Sequence, residues 1–134
     1  MVVAAQEQPE DCARVLATQG WQQAPFVAGR MYRGVRVSGA WTASHGVLDP
    51  VGAPGHLGGD GPLVEDSAAH GALIFDLSAG TTAQQGSWAL FKTMLDEAGA
   101  FRMDGAQVRF RINEPDAGLV DNHGALEVCA TPAD

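Results

Sequence analysis

The sequence predicts an all-β fold, a sandwich, jelly roll or barrel of short strands, and three observations carry that expectation. Seventeen glycines and seven prolines are scattered between short apolar runs, the spacing of strands and turns. Several of those runs alternate apolar and polar residues with period two, so that one face packs and the other stays wet. Only one window in the chain has helical periodicity, so strands follow one another with almost no helix between them.

Taken in order, the expected strands are 13–17, 21–27, 32–41, 72–77, 99–103, 108–113 and 125–130. In the third, Val35 and Val37 alternate with Gly34, Arg36 and Ser38. In the sixth, Val108, Phe110 and Ile112 alternate with Arg109, Arg111 and Asn113, the clearest half-buried pattern in the chain. The exception is 87–98, SWALFKTMLDEA. Ser87 is a helix cap, Trp88, Phe91, Met94 and Leu95 recur at helical spacing, and Gly99 stands where a helix stops. A short helix there should cover an open end or face of the sandwich, with its aromatic stripe in the core. Between Ser44 and His70 the chain is rich in glycine and proline and lacks periodicity. A loop of that length in a compact domain is usually functional or ordered by a ligand.

At 134 residues the chain is long enough for one core and too short for two, so 1–134 is read as a single domain, with 1–10 as a polar N-terminal arm. A net charge of −8 opposes phosphate backbones and anionic membranes, and no nucleic-acid partner or membrane insertion is expected. Residues 1–17 have neither a basic lead-in nor an apolar run of secretory length, so no signal peptide is expected. The chain should therefore be cytoplasmic as synthesised, with release, cell-surface display or incorporation into a virion as later fates. Cys12 and Cys129 lie near opposite ends. They are expected as free thiols for want of an export signal, although an oxidising compartment would let them join terminal strands.

The segment with most chemistry is RFRINEPDAGLVDNHGALEV, residues 109–128: two alternating strands around a loop. That loop gathers the side-chain oxygens of Glu114, Asp116, Asp121 and Asn122, with Pro115, Gly118 and Gly124 to bend the backbone around them. Hard oxygens clustered on a turn suit a calcium ion. In a chain this acidic the same loop also reads as a solvated turn. Arg36, Arg109 and Arg111 read as wet-face arginines paired with the many acids rather than as an anion site.

Catalysis is not expected. There is no Gly-x-Ser-x-Gly elbow, no phosphate loop and no Cys-x-x-Cys spacing. The acidic pairs Glu65 with Asp66 and Glu114 with Asp116 offer the groups of a glycoside hydrolase, yet a small sandwich without a deep cleft binds glycans more readily than it cleaves them.

Four pieces occur in an order that resembles the PA-I galactophilic lectin family, small β-sandwich lectins that bind galactosides through calcium. They are VSGAWTAS, DPVGAPGHLGGDGPL, AAHGALIFDLSAG and FRINEPDAGLVDNHGALEV, which span residues 37–128, about two thirds of the chain. The resemblance implies a jelly-roll-like sandwich similar to galactose-binding domains, and a calcium-dependent, non-enzymatic lectin or adhesin that gains avidity as a homo-oligomer. It places a carboxylate ligand on Glu114, a backbone carbonyl on Gly118 and side-chain ligands on Asp121 and Asn122. A further carbonyl falls on Ser44, or on His45 with one insertion, and the sugar-contacting histidine falls on His56. The sugar-binding set is thus His56 with Glu114, Gly118, Asp121 and Asn122. Two positions depart from the family, whose Asp is replaced by the longer Glu114 and whose Asn is replaced by the charged Asp121; the longer arm leaves open whether Asp116 supplies the carboxylate. His45 and His70 are expected to be structural or exposed, and His123 to flank the site. The alternative is a structural or assembly subunit, such as a phage or particle decoration or appendage protein, that uses the same sandwich without binding sugar.

Overall fold

The computed structural model describes residues 10–26, 31–43, 50–56, 63–79, 82–98, 101–102 and 107–132. Eight strands and one α-helix follow in the order β1 (Asp11–Leu16), β2 (Gln22–Gln23), β3 (Met31–Thr42), β4 (Leu73–Ala79), β5 (Thr82–Ser87), α1 (Trp88–Ala98), β6 (Phe101–Arg102), β7 (Gln107–Ile112) and β8 (His123–Pro132). They form two antiparallel four-stranded sheets, β1-β8-β3-β6 and β2-β7-β4-β5, and the chain is a small all-β sandwich.

The alternation in the sequence decides which side chains fill the space between the sheets. From one sheet come Val15, Val35, Leu126, Val128 and Ala130; from the other come Leu73, Phe75, Val108, Phe110 and Ile112, all buried. Helix α1 packs against β3 of the first sheet and β4 and β5 of the second, so it covers the sandwich where both sheets can reach it. The Ser87 hydroxyl accepts the Leu90 N–H at 3.2 Å and caps its start. Its aromatic stripe is core, as expected: Phe91 lies edge-on to Phe110 at 5.5 Å and against Phe75 at 5.0 Å, with Trp88 beside it at 5.8 Å.

Two differences from the sequence reading have simple causes. Strand β5, TAQQGS, carries almost no apolar residues because it is the edge of its sheet and pairs only with β4, so alternation could not reveal it. The stretch expected as a strand at 21–27 shrinks to Gln22–Gln23; beyond it Ala24 donates to the Val108 carbonyl and Phe26 turns inward against Tyr32 and Phe110. Positions 99, 100 and 103 of the expected 99–103 strand lie outside the described residues, as do residues 1–9 of the arm.

The expectation of free thiols is overturned: Cys12 and Cys129 form a disulfide, with Cα atoms 4.1 Å apart. They are directly opposed in the β1–β8 ladder, where side chains on one face come within bonding range. The bond lies on the outer face of its sheet, since the inward positions of β8 belong to Leu126, Val128 and Ala130. Among the described residues no helix is long and apolar enough to cross a membrane.

Candidate functional site

The β7–β8 connection leaves one sheet at Asn113, turns at Pro115, winds through a 3-10 helix from Asp116 to Asp121 and enters the other sheet as β8. Leu119 is buried and pins that short helix to the core. Near the start of β8 Gly124 has φ 93°, and a Cβ there would lie 2.7 Å from the Ala40 carbonyl oxygen and 3.0 Å from the Trp41 Cα, so only glycine lets β8 pass this close to β3.

Asn113 and Asn122 bracket the connection, and both are buried. The Asn113 side chain clamps the loop before β4: its Oδ1 accepts the Val64 and Glu65 N–H groups at 2.9 and 2.8 Å, and its Nδ2 donates to the carbonyls of Glu65, Ala68 and Ala69 at 3.0 Å each. An amide nitrogen has two hydrogens, so one of these bonds is shared between acceptors. Asn122 donates from Nδ2 to the Ala17 carbonyl at 2.9 Å and to Glu114 Oε1 at 2.5 Å. Its Oδ1 is buried and has no hydrogen-bond partner among the described residues.

Glu114 points inward and is 4% exposed. Its carboxylate folds back over Gly118, where a Cβ would lie 2.8 Å from Oε2, and Oε2 is 3.6 Å from His70 Nε2. The loop thus brings Glu114, Gly118 and Asn122 together. Asp121 is adjacent in sequence but exposed, and Asp116 is turned away to pair with Arg111 at 2.9 Å. Asp116 therefore serves Arg111, while the inward carboxylate is that of Glu114. Ser44 and His45 lie outside the described residues.

His70, expected to be structural or exposed, is 2% exposed and touches the Glu114 carboxylate. Its ring is 6.3 Å from that of His56, which packs over Gly71 where a Cβ would meet His56 Cδ2 at 2.9 Å. The two histidines therefore link the Gly-Pro-rich stretch to the β7–β8 connection. No short sequence pattern marks His70; only the pairing of β4 with β7, together with the Gly71 N–H bond to the Asn113 carbonyl, puts it beside Glu114. His123 is exposed at the start of β8.

Arg111 was expected on a wet face and is buried instead. Trp21 lies against the guanidinium groups of both Arg109 and Arg111, 5.6 and 5.7 Å from its ring centroid, and helps to cover Arg111, while Arg109 stays partly exposed. Arg111 donates to the carbonyls of Ile112 and Glu114 as well as to Asp116, so it splints the turn after β7. Arg109 pairs with Asp76, as Arg36 does with Glu10, so those two behave as ordinary paired arginines.

A hard cation fits part of this donor set. The candidate ligands at Glu114, Gly118, Asp121 and Asn122 are all oxygens, and the buried Asn122 Oδ1 has no donor among the described residues. One carboxylate oxygen of Glu114 is already taken by the Asn122 amide. No family model matches the chain, and no curated protein matches it.

Proposed function

We propose that the protein is a non-enzymatic, calcium-dependent lectin for galactosides, with the ion held by Glu114, the Gly118 carbonyl, Asp121, Asn122 and the Ser44 carbonyl, and with His56 against the sugar. The reading starts from the resemblance to the PA-I galactophilic lectins. The observation that supports it is that the loop packs Glu114 against Gly118 and Asn122, and that the buried Asn122 Oδ1 has no partner among the described residues. Bound calcium would supply positive charge and open coordination positions for two vicinal hydroxyls. The chain's own residues do the rest: Asn113 and Arg111 fix the ends of the loop, Leu119 anchors it, and His56 offers a flat ring beside the site. The exposed Asp121 adds charge to the rim. Assembly into a homo-oligomer would multiply weak single sites into useful avidity.

The test is a calorimetric titration of galactose and a panel of glycosides with calcium and with EDTA. Binding that calcium switches on supports the reading; equal heats in both conditions, or none in either, sink it. A second reading, a structural or assembly subunit without sugar binding, is favoured by the Glu114 carboxylate being engaged from within, by Asn122 and beside His70. In that case the chain ignores glycans and calcium but binds a particle lattice.

A further inference from the structure

The outer face of the β1-β8-β3-β6 sheet carries a second constellation, remote in kind from the oxygen-rich loop. Cys12, Cys129 and Arg36 stand in one cross-strand row, and Arg14, Glu127 and Ser38 stand in the next. Glu10, just before β1, reaches over that row: its carboxylate accepts Arg36 Nη2 at 2.6 Å and Thr131 Oγ1 at 3.1 Å. A Glu10 oxygen and the sulfurs of Cys12 and Cys129 all lie within 4.8 Å of one another. Glu127 Oε1 approaches Cys129 Sγ to 3.6 Å from the other side. A disulfide sulfur has no proton to donate, so that approach is a contact and the carboxylate gains nothing from it in the oxidised state.

Two sulfurs and a carboxylate oxygen already stand together, and Glu127 beside Cys129 offers a fourth ligand; that set suits a tetrahedral zinc-class site. We propose that the β1–β8 staple is exchangeable: in an oxidising setting it is the Cys12–Cys129 disulfide, and in a reducing one the same two sulfurs, with Glu10 and Glu127, hold a thiophilic divalent cation. A dithiol reductant gives two electrons and two protons to the disulfide and closes to its own disulfide, leaving two thiols. Metal binding then displaces those two protons, since the thiolate is the ligand. Charge favours the exchange. With the disulfide intact the Glu10 carboxylate is paired with Arg36, and Glu127 stands across the ladder from Arg14; two thiolates add two negative charges, which a divalent cation cancels. Geometry allows it as well. Two sulfurs on one zinc sit about 3.8 Å apart for tetrahedral bonds of about 2.3 Å. The opposed Cα atoms are 4.1 Å apart, so side-chain rotation opens that gap with the ladder in place.

The full chain is reduced with a trialkylphosphine, which takes oxygen from water as it delivers the two thiols, and is titrated with cadmium as a zinc surrogate. The expected result is one equivalent bound by the reduced protein, with a sulfur-to-cadmium charge-transfer band, a native far-ultraviolet circular dichroism spectrum and a melting temperature raised above that of the metal-free reduced chain. The oxidised protein should give no band, and excess calcium should not displace the cadmium, which separates this site from the β7–β8 loop. Glu10→Gln and Glu127→Gln, which still form the disulfide and so fold before reduction, should each weaken binding about tenfold or more. No band in the reduced protein, a band only in an unfolded chain, or affinity untouched by both amide variants would overturn the proposal.

Discussion

Asn113 and Asn122 bracket the same connection, and both are withdrawn from solvent, yet they are used in opposite ways. Asn113 spends both ends of its amide on the backbone of the loop before β4, and its own N–H and C=O pair with Ala72 and Gly71. Asn122 uses only its nitrogen, on Ala17 and Glu114, and leaves its oxygen without a partner among the described residues. A saturated buried amide is a structural keystone, because an irregular loop lacks a ladder to satisfy its backbone. A half-used one costs stability unless something else completes it. The contrast separates the residue that builds the site from the residue left to receive something there.

The largest expected effect breaks the keystone. Asn113→Ala orphans the polar groups of residues 64–69 that the side chain holds, and should cost about 3 kcal/mol in denaturant unfolding. A loss below ~1 kcal/mol would mean that water replaces the clamp. Next comes the receiving residue: if calcium occupies the loop, a concentration a hundredfold above its Kd should add about 2.7 kcal/mol to the wild-type protein. That increment should vanish in Asn122→Ala, which without calcium costs about 2 kcal/mol because the buried Ala17 carbonyl and a Glu114 carboxylate oxygen lose their donor. Thermal melts of both proteins with and without calcium decide it, and an equal calcium effect in both would erase the distinction between the asparagines.

Gly118→Ala probes the space between them. Its Cβ would lie 2.8 Å from Glu114 Oε2 and 2.9 Å from Glu114 Cδ, so the carboxylate must move off its seat, at a cost of about 1–2 kcal/mol in chemical unfolding. Unchanged stability would show that Glu114 is free to swing. The smallest effect comes from a partly exposed carboxylate outside the loop. The hydrogen bond from the Arg36 guanidinium, with its charge, holds the Glu10 carboxyl below its ordinary value of 4.5. A lowered folded value means that this contribution is fully present above about pH 4.5 and is lost as pH falls through the folded value. Glu10→Gln should therefore lose a little stability at neutral pH and show a shallower acid limb in pH-dependent melts, whereas an unaltered limb would assign the pair no net contribution.

Much of the fold was legible because burial writes itself as period two. Val108, Phe110 and Ile112 name the inner face of β7, and the helix is marked by Ser87, Trp88 and Phe91. Strand β5 was not legible, since an edge strand of Thr, Gln and Gly has no apolar face to display. The candidate loop was found through its oxygens, but the direction of each was not. Glu114, before the 3-10 helix, is buried and Asp121, its last residue, is exposed, a difference that the loop's composition does not encode. The roles of His70 and Trp21 depend on strand pairing and on cover from other segments, which local sequence does not encode. The disulfide was misjudged because the inference ran from compartment, while the deciding fact was cross-strand register.

The link from Cys12 to Cys129 also has a mechanical meaning. A pull applied through the two ends of the chain enters at residue 12 and leaves at residue 129, so the tension runs along one covalent bond and bypasses the chain enclosed between them. The second sheet, the helix and the candidate loop are then shielded from the load, which falls on Asp11 and on residues 130–132 outside the link, and the unit transmits force as a nearly inextensible link for as long as the sulfurs stay joined.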